Sequence, residues 1–219
     1  MVSFNDVKNS SEINAYITQA DRSLGELGYT EHYYGHVMKC AELSSELLIA
    51  LGYDEREAEL AKIAAYMHDM GNLINRENHA QTGALMAFRI LDKMGMPPTE
   101  TGKVITAIGY HDESSAFPVN EIAAALIIAD KTDVRRSRVR NSETIALDIH
   151  DRVNYAVVEG NTVIDAGART VTLTLTIDTK ICSVTEYFEI FLKRMLLCKK
   201  AAEKLSLTFK LIINNTELL

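Results

Sequence analysis

The chain has 219 residues, with 23 Lys+Arg against 30 Asp+Glu, a net charge of −7 at pH 7, 47% hydrophobic residues and 24% charged ones. This is the composition of an ordinary globular protein, and it excludes disordered, collagen-like and low-complexity chains. The acidic balance also argues against a partner as large as a long nucleic acid, because affinity for a phosphate backbone comes from Lys and Arg.

At the N-terminus, MVSFNDVKNSSEINAY holds no apolar signal-peptide core, and no stretch reaches the ~20 apolar residues of a membrane span. A cytoplasmic protein without a membrane partner is expected. Cys40, Cys182 and Cys198 form no CxxC pair. That pattern argues against a disulfide scaffold or a zinc ribbon and reads as small apolar residues in a reducing compartment.

Helical spacing dominates the first part of the chain. A helix is predicted from Ser11 to about Leu27, capped by Ser10 or Ser11 and ended by Gly28. A second runs from about Tyr34 to Leu51, with Gly52 behind it. A third opens at Asp54, with Glu57 three residues on as in a capping box, and ends near Asp69–Gly71. The loop GNLINREN leads to a helix from His79 to about Met94, and Pro97–Pro98 restart the chain into one from about Thr99 to Tyr110. The next, about Asn120 to Val134, carries the run IAAALIIA and is expected to be central and buried. A seventh spans about Glu143 to Val157, with Ile145, Ile149, Val153 and Ala156 on one face.

Near residue 158 the period changes from helical to two. Thr170 to Ile177 alternates threonine with apolar residues and is the clearest strand, pairing as a hairpin with Gly160–Ile164. A helix from about Val184 to Leu205 follows, in which Phe188, Phe191, Leu192, Met195 and Leu196 read as core, and Phe209, Leu211 and Ile213 alternate as a last strand. The expected fold class is mainly α: a helical domain over 1–158, then a small α+β unit of ββαβ order over 159–219. That unit carries no ligand motif, and it would extend a homodimer interface or cover one side of a cleft.

Chemistry concentrates at the predicted helix ends. His36, His68–Asp69, His79, His111 and Asp130 follow in order, and His68–Asp69 in IAAYMHD and Asp130 in ALIIAD stand where core helices should stay apolar. Buried carboxylates there are costly unless paired or metal-bound. Imidazole and carboxylate suit Fe, Mn, Zn and related divalent ions, and one carboxylate can bridge two of them.

In this order and context the chain resembles the HD superfamily of metal-dependent phosphohydrolases, defined by H…HD…D on a helical core. The resemblance covers roughly residues 30–140. His36 in HYYGHVMKCAEL matches the first ligand, His68 and Asp69 in AAYMHDMGN the naming pair, and Asp130 in ALIIADKTD the last aspartate. His79 in HAQTGALMA and His111 in AIGYHDESS resemble the extra histidines of the binuclear members. The resemblance implies a helical HD core with one or two divalent ions, Fe or Mn foremost and Zn, Ni, Co or Mg compatible. Asp69 would bridge them, with His36, His68 and Asp130 on one ion and His79 and His111 on the other. It implies hydrolysis of a phosphate ester or anhydride of a small nucleotide or phosphorylated metabolite by a metal-bound hydroxide. The same scaffold also hosts mixed-valence di-iron oxygenases, and a non-catalytic nucleotide-binding signalling module is a third reading.

The string HDMGN departs from the family branches that carry lysine after HD-x-G. Asn72 can hydrogen-bond and so orient a ligand, but it supplies neither a proton nor a full charge. With the absence of a GYP motif, this departure argues against a direct transfer of the cyclic-dinucleotide phosphodiesterase mechanism. Residues 131–140, KTDVRRSRVR, concentrate positive charge behind Asp130. If the helix continues, Lys131, Arg135 and Arg138 form one stripe and a candidate phosphate clamp. The other reading is an exposed face paired with Asp133, Glu143 or Asp151, favoured for Arg136 and Arg140. His32 is expected to line the cleft, and His150 to serve at the surface or between domains.

Overall fold

A computed structural model describes residues 1–140 and 148–219. The chain begins with a short helix, α1 (Phe4–Lys8), closed by a capping box between Ser3 and Asp6. Five residues carry too little periodicity to stand out in the sequence, yet Phe4 and Val7 are buried. Helix α2 (Ser11–Glu26) follows, capped by the Ser10 side chain. Then come α3 (Tyr34–Ala50) and α4 (Glu55–Met67), the latter capped by Asp54 accepting from the Glu57 amide at 2.8 Å. A 3₁₀ turn over Met70–Leu73 precedes α5 (His79–Lys93), and α6 (Pro98–Gly109) starts on a proline, whose missing N–H costs nothing in a first turn.

Helix α7 (Glu121–Lys131) is the centre of the fold. Every residue from Ile122 to Ala129 is buried, and the helix packs against α3, α4 and α6 on one side and α9 (Val184–Lys204) on the other. It stops three residues before the predicted Val134. Thr132 turns its hydroxyl back to the Ile128 carbonyl at 2.7 Å, and Asp133 leaves the helix to meet His36. A 3₁₀ turn at Arg136–Arg138 replaces the expected continuation. Of the predicted seventh helix, α8 (Ile149–Ala156) is described, capped by Asp148. Glu143 and Ile145 lie outside the described residues, and Val157 already belongs to a strand.

The sheet has the order β1-β2-β3-β4, with β1 (Val157–Asp165) antiparallel to β2 (Thr170–Ile177), β2 parallel to β3 (Thr208–Ile213), and β3 antiparallel to the two-residue β4 (Thr216–Glu217). Helix α9 makes the crossover that a parallel pair requires. The alternation in β2 holds: Val171, Leu173, Leu175 and Ile177 are buried, and the threonines occupy the other face. Tyr187, Phe191, Met195 and Cys198 anchor α9 in the core, while Leu192 and Leu196, expected there, are each 45% exposed. They fall on the outward side of a helix whose inward side is already filled. One apolar core runs without interruption from the helices into the sheet. Among the described residues, no helix is long and apolar enough to cross a membrane.

Candidate metal centre

Helix ends converge at one point beside α7. His36 sits in the first turn of α3, His68 caps α4 with Asp69 after it, His79 opens α5, His111 follows α6, and Asp130 lies in the last turn of α7. All six are at least mostly buried. The close approach of α5 to the 3₁₀ turn depends on Gly71, where a Cβ would lie 1.9 Å from the His79 carbonyl oxygen and 2.5 Å from the Gly83 nitrogen. Only a residue without a side chain lets the N-terminus of α5 reach Asp69.

The distances divide the site about Asp69. Its Oδ2 lies 3.1 Å from His68 Nε2 and 3.7 Å from His36 Nε2, and Asp130 Oδ1 lies 3.3 Å from the same His36 nitrogen. Its Oδ1 lies 3.6 Å from His79 Nε2 and 4.0 Å from His111 Nε2. In two triads, His36–His68–Asp130 and His68–Asp69–His111, the ligand atoms lie within 4.8 Å of one another. The remaining ring nitrogens are all engaged. His68 Nδ1 donates to the Ala65 carbonyl at 2.7 Å, His79 Nδ1 to that of Arg76 at 3.0 Å, and His111 Nδ1 to that of Ile108 at 2.6 Å. His36 Nδ1 donates to Asp133 Oδ2 at 2.8 Å. A proton held at each Nδ1 turns each Nε2 lone pair inward, as a metal requires, although that of His79 also accepts from Arg76 Nη1 at 3.3 Å.

His68 Nε2 and Asp69 Oδ2 are buried without a hydrogen-bond partner. A buried lone pair facing a buried carboxylate oxygen is costly, and a divalent cation between them would satisfy both. Charge states agree with that donor set. Burial alone would raise the carboxyls of Asp69 and Asp130, but His68, His32 and His79 hold the first, and Lys131, His36 and His68 the second, well below the usual carboxylate range. Burial, with His68 and Lys131 nearby, pushes His111 down to about 3, and burial lowers His79 as well. His68 is the exception: burial would lower it, but Asp69 holds it above its usual value. The donor set, and the protonation states of all but His68, fit divalent ions.

The HD domain profile matches residues 33–154, more than half of the chain and a span that contains all six of these side chains. The chain belongs to the HD domain family. An uncharacterized protein of Methanocaldococcus jannaschii is 24% identical to this HD domain protein over 159 residues, which are 63% of this chain and 61% of that relative, so the chain spans about three fifths of the relative's length. The crystal structure of a predicted HD superfamily hydrolase from an uncultured Thermotogales bacterium overlaps with a TM-score of 0.45 at 24% identity, covering 57% of this chain and 67% of the other.

In this HD domain protein the predicted basic stripe does not form, because the helix that would carry it ends at Lys131. Lys131 does face the cavity beside the centre, with its ammonium 2.6 Å from Asp130 Oδ2 and 3.4 Å from Glu113 Oε1. Burial alone would lower it, but those two carboxylates hold it above its usual value. Arg138 also lines the cavity, but its guanidinium donates to the carbonyls of Glu31 and Asp133, each at 2.9 Å. Arg135 turns to Asp133 Oδ1 at 2.9 Å and to Ser137 Oγ at 2.6 Å, and it is not among the cavity-lining residues. Arg136 lies over the Tyr155 ring, and Arg140 pairs with Asp21, as expected of residues pointing elsewhere.

Asn72 differs from its expected role as well. Its amide nitrogen donates to the carbonyl and to Oδ1 of Asp69, both at 2.9 Å, and its oxygen accepts from Arg76 Nη1 at 3.1 Å. With both ends engaged, it fixes Asp69 and presents nothing to the cavity. His32 lines the cavity with its ring 5.5 Å from that of His36, and the His150 side chain stands at the rim, 62% exposed.

The cavity encloses about 480 Å³ and is lined by Asp69, Asp130 and Lys131, by Arg76 and Glu113, and by Phe191 and Arg194 of α9. Sequence reasoning missed Arg76, Glu113 and Arg194. Arg76 follows Asn72 by four residues, a spacing that hints at a shared face. Nothing in the sequence indicates which side of α9 meets the cavity, since that depends on tertiary packing.

Proposed function

We propose that this HD domain protein is a metal-dependent phosphohydrolase that cleaves a phosphate ester or anhydride of a small nucleotide or phosphorylated metabolite. The observation that carries the reading is the geometry of Asp69, one carboxylate whose two oxygens face different sets of imidazole nitrogens. In this reading Asp69 would be shared between two ions, with His36, His68 and Asp130 available to one and His79 and His111 to the other. Fe or Mn suits the mixed nitrogen and oxygen donors. Divalent ions at such a centre activate water and neutralise phosphoryl oxygens.

The chain's own groups supply the rest. Asn72 and Arg76 keep Asp69 from rotating, so its oxygens stay directed to opposite sides. Lys131, held charged beside Asp130 and Glu113, would donate to the substrate phosphate, whereas Arg138 is already engaged by the Glu31 and Asp133 carbonyls. Arg76 and Arg194 bring two further guanidinium groups to the same cavity, and a planar fork suits phosphate. A volume of about 480 Å³ is that of a small-molecule site and far below what a nucleic-acid duplex needs.

A phosphate-release screen across nucleotides and sugar phosphates tests this, run on protein purified without oxygen, stripped by chelator, and reloaded with Mn²⁺ or Fe²⁺. Release that depends on reloading and is lost in Asp69→Ala is the expected result. Metal-loaded protein that binds nucleotides but turns none over would favour a signalling module. Substrate-dependent oxygen uptake with a mixed-valence EPR signal would favour the oxygenase.

A further inference from the structure

Asp133 lies three residues beyond the last candidate ligand and is almost fully buried, at 2% exposure. Its Oδ2 accepts from His36 Nδ1 at 2.8 Å. It is a side chain that holds a ring nitrogen here, whereas His68, His79 and His111 are held by main-chain carbonyls. The other oxygen, Oδ1, lies 2.9 Å from Lys39 Nζ and 2.9 Å from Arg135 Nε. Arg138 binds the Asp133 carbonyl at 2.9 Å, and its own carbonyl accepts from the Glu31 amide at 2.7 Å. Arg138 Nη1 also stands 3.8 Å from Asp133 Oδ2, so cations flank both carboxylate oxygens.

We propose that Asp133 is a positioning residue for His36, and that Lys39 and Arg135 serve to orient its carboxylate. The proposal rests on the metal-centre reading above. A carboxylate has no proton to donate, so the shared proton sits on His36 Nδ1 and the Nε2 lone pair is left for an ion. The carboxylate's negative charge makes that lone pair a stronger donor than a neutral carbonyl would, and the two cations prevent the carboxylate from turning away. Much of the basic run that the sequence suggested as a phosphate clamp is thus assigned a different task. Arg135 acts on the ligand shell from behind, out of reach of substrate. An amide at position 133 would have to turn its NH₂ either toward two cations or toward His36 Nδ1, and the second choice would force the proton onto Nε2.

Mn²⁺ titration of the metal-free full chain, with free ion counted by EPR, tests this on wild type, His36→Ala, Asp133→Asn and Arg135→Gln. The ion lost from His36→Ala is expected to bind about ten- to a hundredfold more weakly in Asp133→Asn. The ion that His36→Ala retains should keep its affinity, and Arg135→Gln should weaken the first ion to a smaller degree. Arg135 is partly exposed, so its variant carries the test if Asp133→Asn does not fold. Unchanged affinity in both variants would overturn the proposal. So would equal weakening of every ion together with a lower melting temperature of the metal-free variants, which is what a purely structural role predicts. Wild-type protein that binds no Mn²⁺ at all would instead refute the metal centre itself.

Discussion

The buried lone pairs at Asp69 and His68 set the behaviour of individual residues. His79 contributes to one side of the site only, facing Asp69 Oδ1 at 3.6 Å. Replacing it with alanine is expected to lower the bound metal from two ions per chain to one, measured by elemental analysis, while leaving the His36 side occupied. Asn72→Ala removes two hydrogen bonds that fix Asp69. Metal affinity should then fall about tenfold, as for other outer-shell partners, with little change in the melting temperature of the metal-free protein. An unchanged affinity would place Asn72 outside the site's machinery. Acid sensitivity follows from the imidazoles. Burial lowers His32, His79 and His111, so the unfolded chain takes up their protons first, and each contributes stability present above the ordinary histidine value of ~6.5 and lost as pH falls below it. His68, raised by Asp69, and Asp151, raised by burial, oppose the trend. Denaturant midpoints of the metal-free protein should therefore be lower at pH 5.5 than at pH 7.5, and equal midpoints would argue against neutral buried imidazoles.

At the scale of elements, the junction between the 3₁₀ turn and α5 is the sharpest constraint. In Gly71→Ala the new methyl would meet the His79 main chain, with no flexible side chain to move aside. A loss of about 3 kcal/mol in equilibrium unfolding is expected, at the upper end of overpacking costs, together with weaker metal binding. The cap at Asp54, far from the site, should cost only about 1 kcal/mol on replacement by alanine and leave metal binding intact. These junctions also show what the sequence reveals. Capping residues, glycine stops and the apolar run of α7 mark most helix ends within a few residues, because they are local signals. The five-residue α1 is too short to show a period. The stop of α7 at Lys131 depends on Asp133 reaching a histidine 97 positions away, and no local signal records it. Arg135 was misplaced for that reason. His68, Asp69 and Asp130 could be read because each breaks an apolar pattern, and His36, His79 and His111 because their local strings resemble the family's, whereas Arg76, Glu113 and Arg194 sit in segments where polar residues are ordinary.

For the molecule as a whole, α9 joins the sheet to the cavity. Phe191 and Arg194 form part of its wall, and Glu113 links Arg194 at 2.6 Å to Lys131 at 3.4 Å. These contacts place part of α9 in the cavity wall. Arg194→Ala is expected to raise KM for a phosphorylated substrate several-fold while leaving metal content unchanged, since the side chain faces the cavity and not the imidazoles. A fall in metal content would mean that α9 also holds the ligand helices in place.

The claim on which the rest depends is that Asp69 holds divalent metal between its imidazole neighbours. Elemental analysis of anaerobically purified protein, wild type against Asp69→Ala, tests it most directly. The account predicts two ions per chain of wild type and loss of metal from the variant, with the fold retained by circular dichroism. Wild-type protein free of metal, or a variant that keeps the wild-type complement, would contradict it.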